Sequence, residues 1–435
     1  MFRSTGNDKG FTRMQDTQEL VTQDAPLSGS GEPLLREVTA GLLQSLSVRP
    51  REVILTGSFA RGEGSILMAG GRRRVLGDME FLVVFARGAD RARLQAELDD
   101  CALRLSADLA RSGSDCELEF RAVTREYFAA IRPQVFGYEL MAHGRPVVGP
   151  GNALRAIPRF TAGDIPRWDA WRLLHNRIIE QLGQSQPPRD GGYEEAVALL
   201  YRLLKFQLDL GTAALLFSGR YSASYAARAG NLAQWAGESG PAPRFLPELA
   251  RRVGDATRFK LSPNAAGALG FRAGTASAEE ILRYVAEERE RVRSLARQVW
   301  AWAAQRLTGE ELPPEAPCEQ ADRAVFATQA LRDKLRGWAK LALMSAVRRQ
   351  PGFAGRMRRL SSIASPRYLV YSAAARLYFS PPGTRPDAPA PQSWDAAERM
   401  LPVLFAETLA EERPWFRIQA NVLRSWKMFL RNHWA

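Results

Sequence analysis

Apolar and polar positions alternate in two regimes along the chain. Up to about residue 150, short runs with strand-like alternation are interleaved with helical patterns. From about Trp168 onward the pattern is helical throughout. Glu32 to Leu46 carries apolar residues at helical steps with a proline near its start, which predicts a helix. Val53-Ile54-Leu55 predicts a short buried strand at about 52–56. A glycine-rich turn follows at Gly57-Ser58, then a short helix or loop over 58–64. The stretch Ser65 to Val75 (SILMAGGRRRV) is expected to be a flexible basic loop. Met79 to Phe85 reads as a second strand. Leu94, Leu98, Ala102, Leu105 and Leu109 then recur at three- and four-residue steps, so Ala89 to Ser112 reads as one amphipathic helix ended by Gly113. Asp115 to Val123 alternates acid and apolar, as a strand with one polar face does. Tyr138 to Gly149 is expected to form a strand pair around His143-Gly144.

In the second regime, Asp169 to Leu182, Tyr193 to Phe217 and Ala278 to Leu307 read as long helices. A Pro/Gly-rich loop separates the first two. Residues 309–320 are rich in Pro and Glu and suit a linker. The tail from 321 is helical again, broken by a proline-rich spacer at 380–392 and ending in a stretch with Trp415, Trp426 and Trp434. Residues 1–31 are polar and aperiodic, as a disordered leader is. The expected organisation is an α/β domain with a small mixed sheet at 32–150, a helical domain at 160–308 and a basic helical region at 321–435. No internal repeat is visible.

Candidate chemistry changes this picture at the second strand. Asp78 and Glu80 sit two apart where side chains alternate faces, so both point to one side and Met79 and Phe81 to the other. Two like charges at that spacing repel, and a divalent cation held by hard oxygen ligands resolves the conflict. Mg²⁺ is the expected ion. At the preceding turn, glycine permits close backbone approach, and the Ser58 hydroxyl with nearby amides can hold a phosphate. A phosphate cradle beside a two-carboxylate site points to metal-assisted phosphoryl or nucleotidyl transfer.

Gly57-Ser58, a spacer, then Asp78-Met79-Glu80 between apolar residues resembles the signature of the DNA polymerase beta nucleotidyltransferase superfamily. The wording GSFARGEGS and the second acid being Glu are most similar to its bacterial branch of antibiotic-modifying and minimal nucleotidyltransferases. The resemblance covers roughly residues 35–150. It departs in a longer spacer, with Ser65 to Val75 as the excess, which leaves open where Arg61 stands relative to the phosphates. It implies a catalytic α/β domain, two Mg²⁺ ions, a nucleoside triphosphate (ATP expected) and transfer of a nucleoside monophosphate, AMP expected, to a hydroxyl acceptor. Members carry a further acid near the start of the strand after the helix. Glu117, between Cys116 and Leu118, matches that pattern first and Glu119 second, while Asp115 lies too early. The implied metal ligands are Asp78, Glu80 and Glu117. Gly57, Ser58, Arg61 and Lys205 are the implied nucleotide contacts, and Tyr225 and Arg228 are further candidates for triphosphate or acceptor. The segment SGRYSASYAARAGNL is similar to the helical substrate-side domain of these transferases. The alternative is a catalytically idle protein that uses the same fold to bind a nucleotide or nucleic acid. A ribonuclease of the HEPN type is set aside, because neither His143, His175 nor His433 has an arginine at the required upstream spacing.

Composition adds a partner class. The 435 residues carry a net charge of +13, mostly from arginine, which favours an anionic partner. Arg332 to Arg367 alone holds ten Lys/Arg against one acid, Asp333, followed by Tyr368, Tyr371, Tyr378 and Phe379. That tail suits nucleic acid or a membrane surface. No apolar run approaches the roughly 20 residues of a membrane span. Cys101, Cys116 and Cys318 have no metal spacing and read as core thiols of a cytoplasmic protein. With three histidines a histidine-rich zinc site is not expected.

Overall fold

The computed structural model describes residues 31–184, 192–265, 269–313, 317–382 and 391–431. The expected leader, most of the Pro/Gly-rich loop, the core of the proline-rich spacer, His433 and Trp434 lie outside the described residues. The described residues are mixed α/β, with one small sheet and many helices. Its first part runs α1 (Gly31–Ser45), β1 (Glu52–Leu55), α2 (Gly57–Ala60), β2 (Ile66–Ala69), β3 (Arg72–Phe85), α3 (Arg91–Arg111), β4 (Ser114–Thr124), α4 (Arg125–Ala129), α5 (Val135–His143) and β5 (Arg145–Val148). The helices that follow are α6 (Arg167–Leu182), α7 (Tyr193–Ser218), α8 (Tyr225–Gly237), α9 (Leu246–Leu261), α10 (Ala278–Thr308), α11 (Cys318–Ala327), α12 (Leu331–Leu343), α13 (Ser345–Arg348), α14 (Phe353–Leu360), α15 (Pro366–Phe379), α16 (Gln392–Met400) and α17 (Pro414–Arg431).

Two compact units result. Of the described residues, the sheet unit takes those up to Pro166 together with those of Tyr221–Asn231 and Gly254–Ala276; the helical unit takes the others, so the boundary runs through α8 and α9.

In the sheet unit β3 is the central strand. One of its edges pairs with β2 and then β1, both antiparallel; the other pairs with β4 in parallel; β5 adds to β1 antiparallel. A parallel partner needs a crossover, and α3 supplies it. Asp90 caps α3 by accepting from Arg93 N at 3.2 Å, and Gly113 leaves it at φ +86°. The pleat sends alternate residues to opposite faces. Val53, Leu55, Met79, Phe81, Val83, Phe85, Leu118 and Phe120 pack under α1 and α3 through Leu34, Leu35, Val38, Leu42, Leu94 and Leu98. Ile54, Leu82, Val84 and Val123 face the other way, under Phe128, Ile131 and Leu140 from the α4–α5 region. Midway along β3 and β4 that second face carries Asp78, Glu80, Glu117 and Glu119 instead of apolar residues.

Two local expectations are corrected. The basic stretch 65–75 is a β-hairpin, not a loop: β2 pairs with Arg72–Val75 of β3. Gly70 and Gly71 make its two-residue turn at φ +56° and +77°, a conformation that two consecutive glycines adopt without strain. Asn264 then occupies the edge of β2, accepting from Met68 N at 2.9 Å and donating to Ile66 O at 3.2 Å. The expected strand pair at Tyr138–Gly149 is a helix and a strand, α5 then β5. Apolar residues surround α5 on several sides, so no period marked it as a helix.

In the helical unit α7 is buried along most of its length against α6 and α10, and α15 packs on α6, α16 and α17. His175 of α6 is fully enclosed there. It holds Trp171 O at 3.0 Å through Nδ1 and accepts from Trp300 Nε1 at 3.1 Å, and Tyr371 stacks on it at 4.8 Å between ring centroids. Burial pushes its pKa down to about 3, so it is a neutral core residue. Cys101, Cys116 and Cys318 are buried free thiols. No described helix is long and apolar enough to cross a membrane.

Candidate functional site

The acidic site is assembled by strand register. β3 and β4 run in parallel with Asp78 opposite Glu117 and Glu80 opposite Glu119. Just before this pairing the ladder is irregular. Arg74 pairs with Asp115, so Val75, Leu76 and Gly77 on β3 lie against the single residue Cys116 on β4. Gly77 takes φ +118°, and Leu76 N donates to Ser65 O at 2.9 Å. A bulge of this kind bends the strand and re-aims the side chains that follow it. Here those side chains are the acids.

Asp78, Glu80 and Glu119 form one group. Each offers a carboxylate oxygen, and these oxygens all lie within 4.8 Å of one another. Glu119 is the third member; Glu117, the first choice from the sequence, is not in the group. Both glutamates occupy the same face of β4, so alternation alone had no means of choosing between them. Asp115 is engaged elsewhere, accepting from Arg72 Nη2 at 2.8 Å. The Glu119 carboxyl is held above its usual range, first by burial and then by the negative charge of Asp78, with Arg121 opposing. The neighbouring Cys116 thiol is pushed up to about 12 by burial, then by Asp78 and Glu117, so it is inert.

The Gly57 turn abuts the same group. Thr56 N donates to Glu80 O at 2.8 Å, which pins the end of β1 to β3. Gly57 sits at φ +66°, and a Cβ added there would crowd the Glu80 carboxylate. The backbone conformation favours glycine here, and a side chain would have to push the flexible Glu80 carboxylate aside. Ser58 follows, half-buried, and its carbonyl accepts from Glu63 N at 2.9 Å.

Arg61 is placed differently from the expectation. It is buried in a mixed-charge network, with Nε donating to Glu63 at 3.1 Å and Nη1 to Glu139 at 2.7 Å. Arg228, another residue expected at a ligand, also donates to Glu139, and its guanidinium lies 4.6 Å from the centre of the Tyr225 ring. Tyr221 donates its hydroxyl to Glu139 at 2.7 Å. Glu63 accepts from Ser224 Oγ at 2.8 Å and from the Tyr225 and Ala226 amides at 3.0 and 3.1 Å, so it anchors the start of α8. Burial alone would raise the Glu139 carboxyl; Arg61 and Arg228 outweigh it and bring it down to about 2. Glu63 is lowered against its own burial by Arg61 and the α8 amides. Neither glutamate was singled out from the sequence. The one local signal was Glu63 two residues after Arg61; Glu139 is 78 residues away in the chain. Lys205 is half-buried on α7 in the helical unit.

The donor set of Asp78, Glu80 and Glu119 is all carboxylate oxygen, closely grouped and reached from solvent through Glu119. It fits a hard divalent cation such as Mg²⁺. It does not by itself name the reaction. No protein-family model, curated protein or solved structure matches the chain.

Proposed function

We propose that the sheet unit is the catalytic domain of a nucleotidyltransferase of the polymerase beta type. It would transfer a nucleoside monophosphate, AMP being expected, from a nucleoside triphosphate to a hydroxyl acceptor and release pyrophosphate. One observation carries the reading: three carboxylates from adjacent strands converge within 4.8 Å, on a bulge, beside a glycine turn that abuts Glu80. A structural role would not require like charges to be gathered in this way.

Asp78, Glu80 and Glu119 would hold the metal. Bound Mg²⁺ supplies charge neutralisation on the phosphates and at the oxygen that leaves with pyrophosphate. Amides of the Gly57-Ser58 turn and the Ser58 hydroxyl bind the terminal phosphates. Glu119, at the open side of the group, accepts the proton of the acceptor hydroxyl as the new oxygen–phosphorus bond forms. Arg61, committed to Glu63 and Glu139, holds the turn in place instead of touching phosphate.

The test supplies the full-length protein with each α-labelled nucleoside triphosphate, Mg²⁺ and a cell extract, and follows pyrophosphate release and the destination of the label. Asp78→Asn is expected to cut turnover by at least ~100-fold, the scale on which lost charge stabilisation is felt in such sites. Full turnover in Asp78→Asn would contradict the assignment. Nucleotide binding with no pyrophosphate from any nucleotide would favour the idle, binding-only alternative.

A further inference from the structure

We infer that helix α12 is a docking surface for an anionic lipid bilayer. The observation is the way this helix is seated. Trp338 and Leu341 are buried, and the Trp338 indole donates to Ala364 O at 2.9 Å. Gly337 passes close to Ser365 and Pro366 at the start of α15. One side of α12 is thereby fastened to its own unit. Beside that seat runs a row of Leu331, Leu335, Ala339 and Leu343 at four-residue steps, which starts next to Trp338 and winds away from it toward Leu343. The three leucines are 62%, 51% and 80% exposed. Nine large apolar side chains are exposed among the described residues, and three of them stand in this row. A thirteen-residue helix that collects a third of them presents a surface; scattered exposed leucines would need no explanation.

The next row on the same helix is Arg332, Arg336 and Lys340, again at four-residue steps. Arg332 and Arg336 are exposed, and so are Arg348 and Arg349 just beyond α12 and Arg358 and Arg359 on α14. An apolar row bordered by a basic row is the arrangement by which a helix lies in a bilayer interface. The leucines enter the acyl boundary and the cations meet acidic headgroups. The same basic charge would suit nucleic acid, but a row of leucines gains nothing from a phosphate backbone. The leucines therefore decide for lipid. The inference does not depend on the nucleotidyltransferase reading.

The test is sedimentation of the full-length protein with extruded vesicles of phosphatidylcholine alone or mixed with phosphatidylglycerol, with a labelled single-stranded RNA assayed in parallel. Binding is expected on the acidic vesicles and not on the neutral ones. The exposed pair Leu335→Glu with Leu343→Glu is expected to weaken vesicle binding by at least ~10-fold while the protein stays folded by circular dichroism. Arg332→Glu with Arg336→Glu is expected to do the same. Absence of binding to acidic vesicles overturns the proposal, and so does binding that survives the leucine substitutions. RNA binding without vesicle binding assigns the face to nucleic acid instead. A dimer in solution that the leucine substitutions dissolve, with no vesicle binding, assigns it to a second copy of the chain.

Discussion

Two charged clusters of the sheet unit make opposite use of the same side chain. Glu139 stands between Arg61 and Arg228, accepts from Tyr221, and has its carboxyl brought down to about 2. Glu119 stands beside Asp78 and Glu80, and its carboxyl is raised. In the first cluster charges of both signs are enclosed together and tie α5, the Gly57–Glu63 segment and the start of α8 into one body. In the second, carboxylate is set against carboxylate across the paired strands β3 and β4, with Glu119 exposed. Whether a buried or half-buried acid is a fixture or a candidate ligand depends on the sign of what faces it, more than on its own identity.

The comparison can be broken most forcefully at Glu139. Glu139→Gln keeps the shape but leaves Arg61 and Arg228 short of a counter-charge in a buried setting, and is expected to cost ~3–5 kcal/mol in urea unfolding. A cost below ~1 kcal/mol would mean that the network is not the fixture described.

Acid should reach the same cluster more gently. The folded-state pKa of Glu139 is depressed to about 2 from an ordinary 4.5, so its contribution is fully present above about pH 4.5. It is lost as pH falls from there toward about 2, a change on the order of 3 kcal/mol. Unfolding followed between pH 5 and pH 2 should show that loss in the wild type and a shallower slope in Glu139→Gln. Equal slopes would deny the ion pairs their role.

Gly57→Ala sharpens the boundary between the clusters. The positive φ predicts ~1–2 kcal/mol of destabilisation, and the crowding of an added Cβ against the Glu80 carboxylate predicts displacement of that carboxylate. Urea unfolding and divalent-metal affinity should therefore both change. An unaffected affinity would separate the turn from the acidic group.

Much of the site was legible where chemistry and period coincide. Asp78-Met79-Glu80 shows both its acids and its alternation locally, and the α3 helix announces itself through its leucine spacing and Gly113. The third carboxylate was not legible, because Glu117 and Glu119 share a face and the choice depends on a bulge in a different strand. Arg61 looked like a phosphate ligand because its partner Glu139 is distant in sequence. The Gly70–Gly71 hairpin was hidden by its basic composition, although the glycine pair itself was the turn signal. The long helices α6, α7 and α10 were legible, since long amphipathic periods survive local irregularity. The exposed leucine row of α12 was not legible, since which of its faces is exposed depends on how Trp338 and Leu341 are seated.

The most direct measurement is Mn²⁺ binding by electron paramagnetic resonance, with Mn²⁺ standing in for Mg²⁺, on the wild type and on Asp78→Asn. That substitution removes a like charge from a crowded group, so stability should change by less than ~1 kcal/mol. Affinity should fall by at least ~10-fold, competitively with Mg²⁺ in the wild type. Equal Mn²⁺ affinity in the two proteins would mean that Asp78, Glu80 and Glu119 do not form a metal centre.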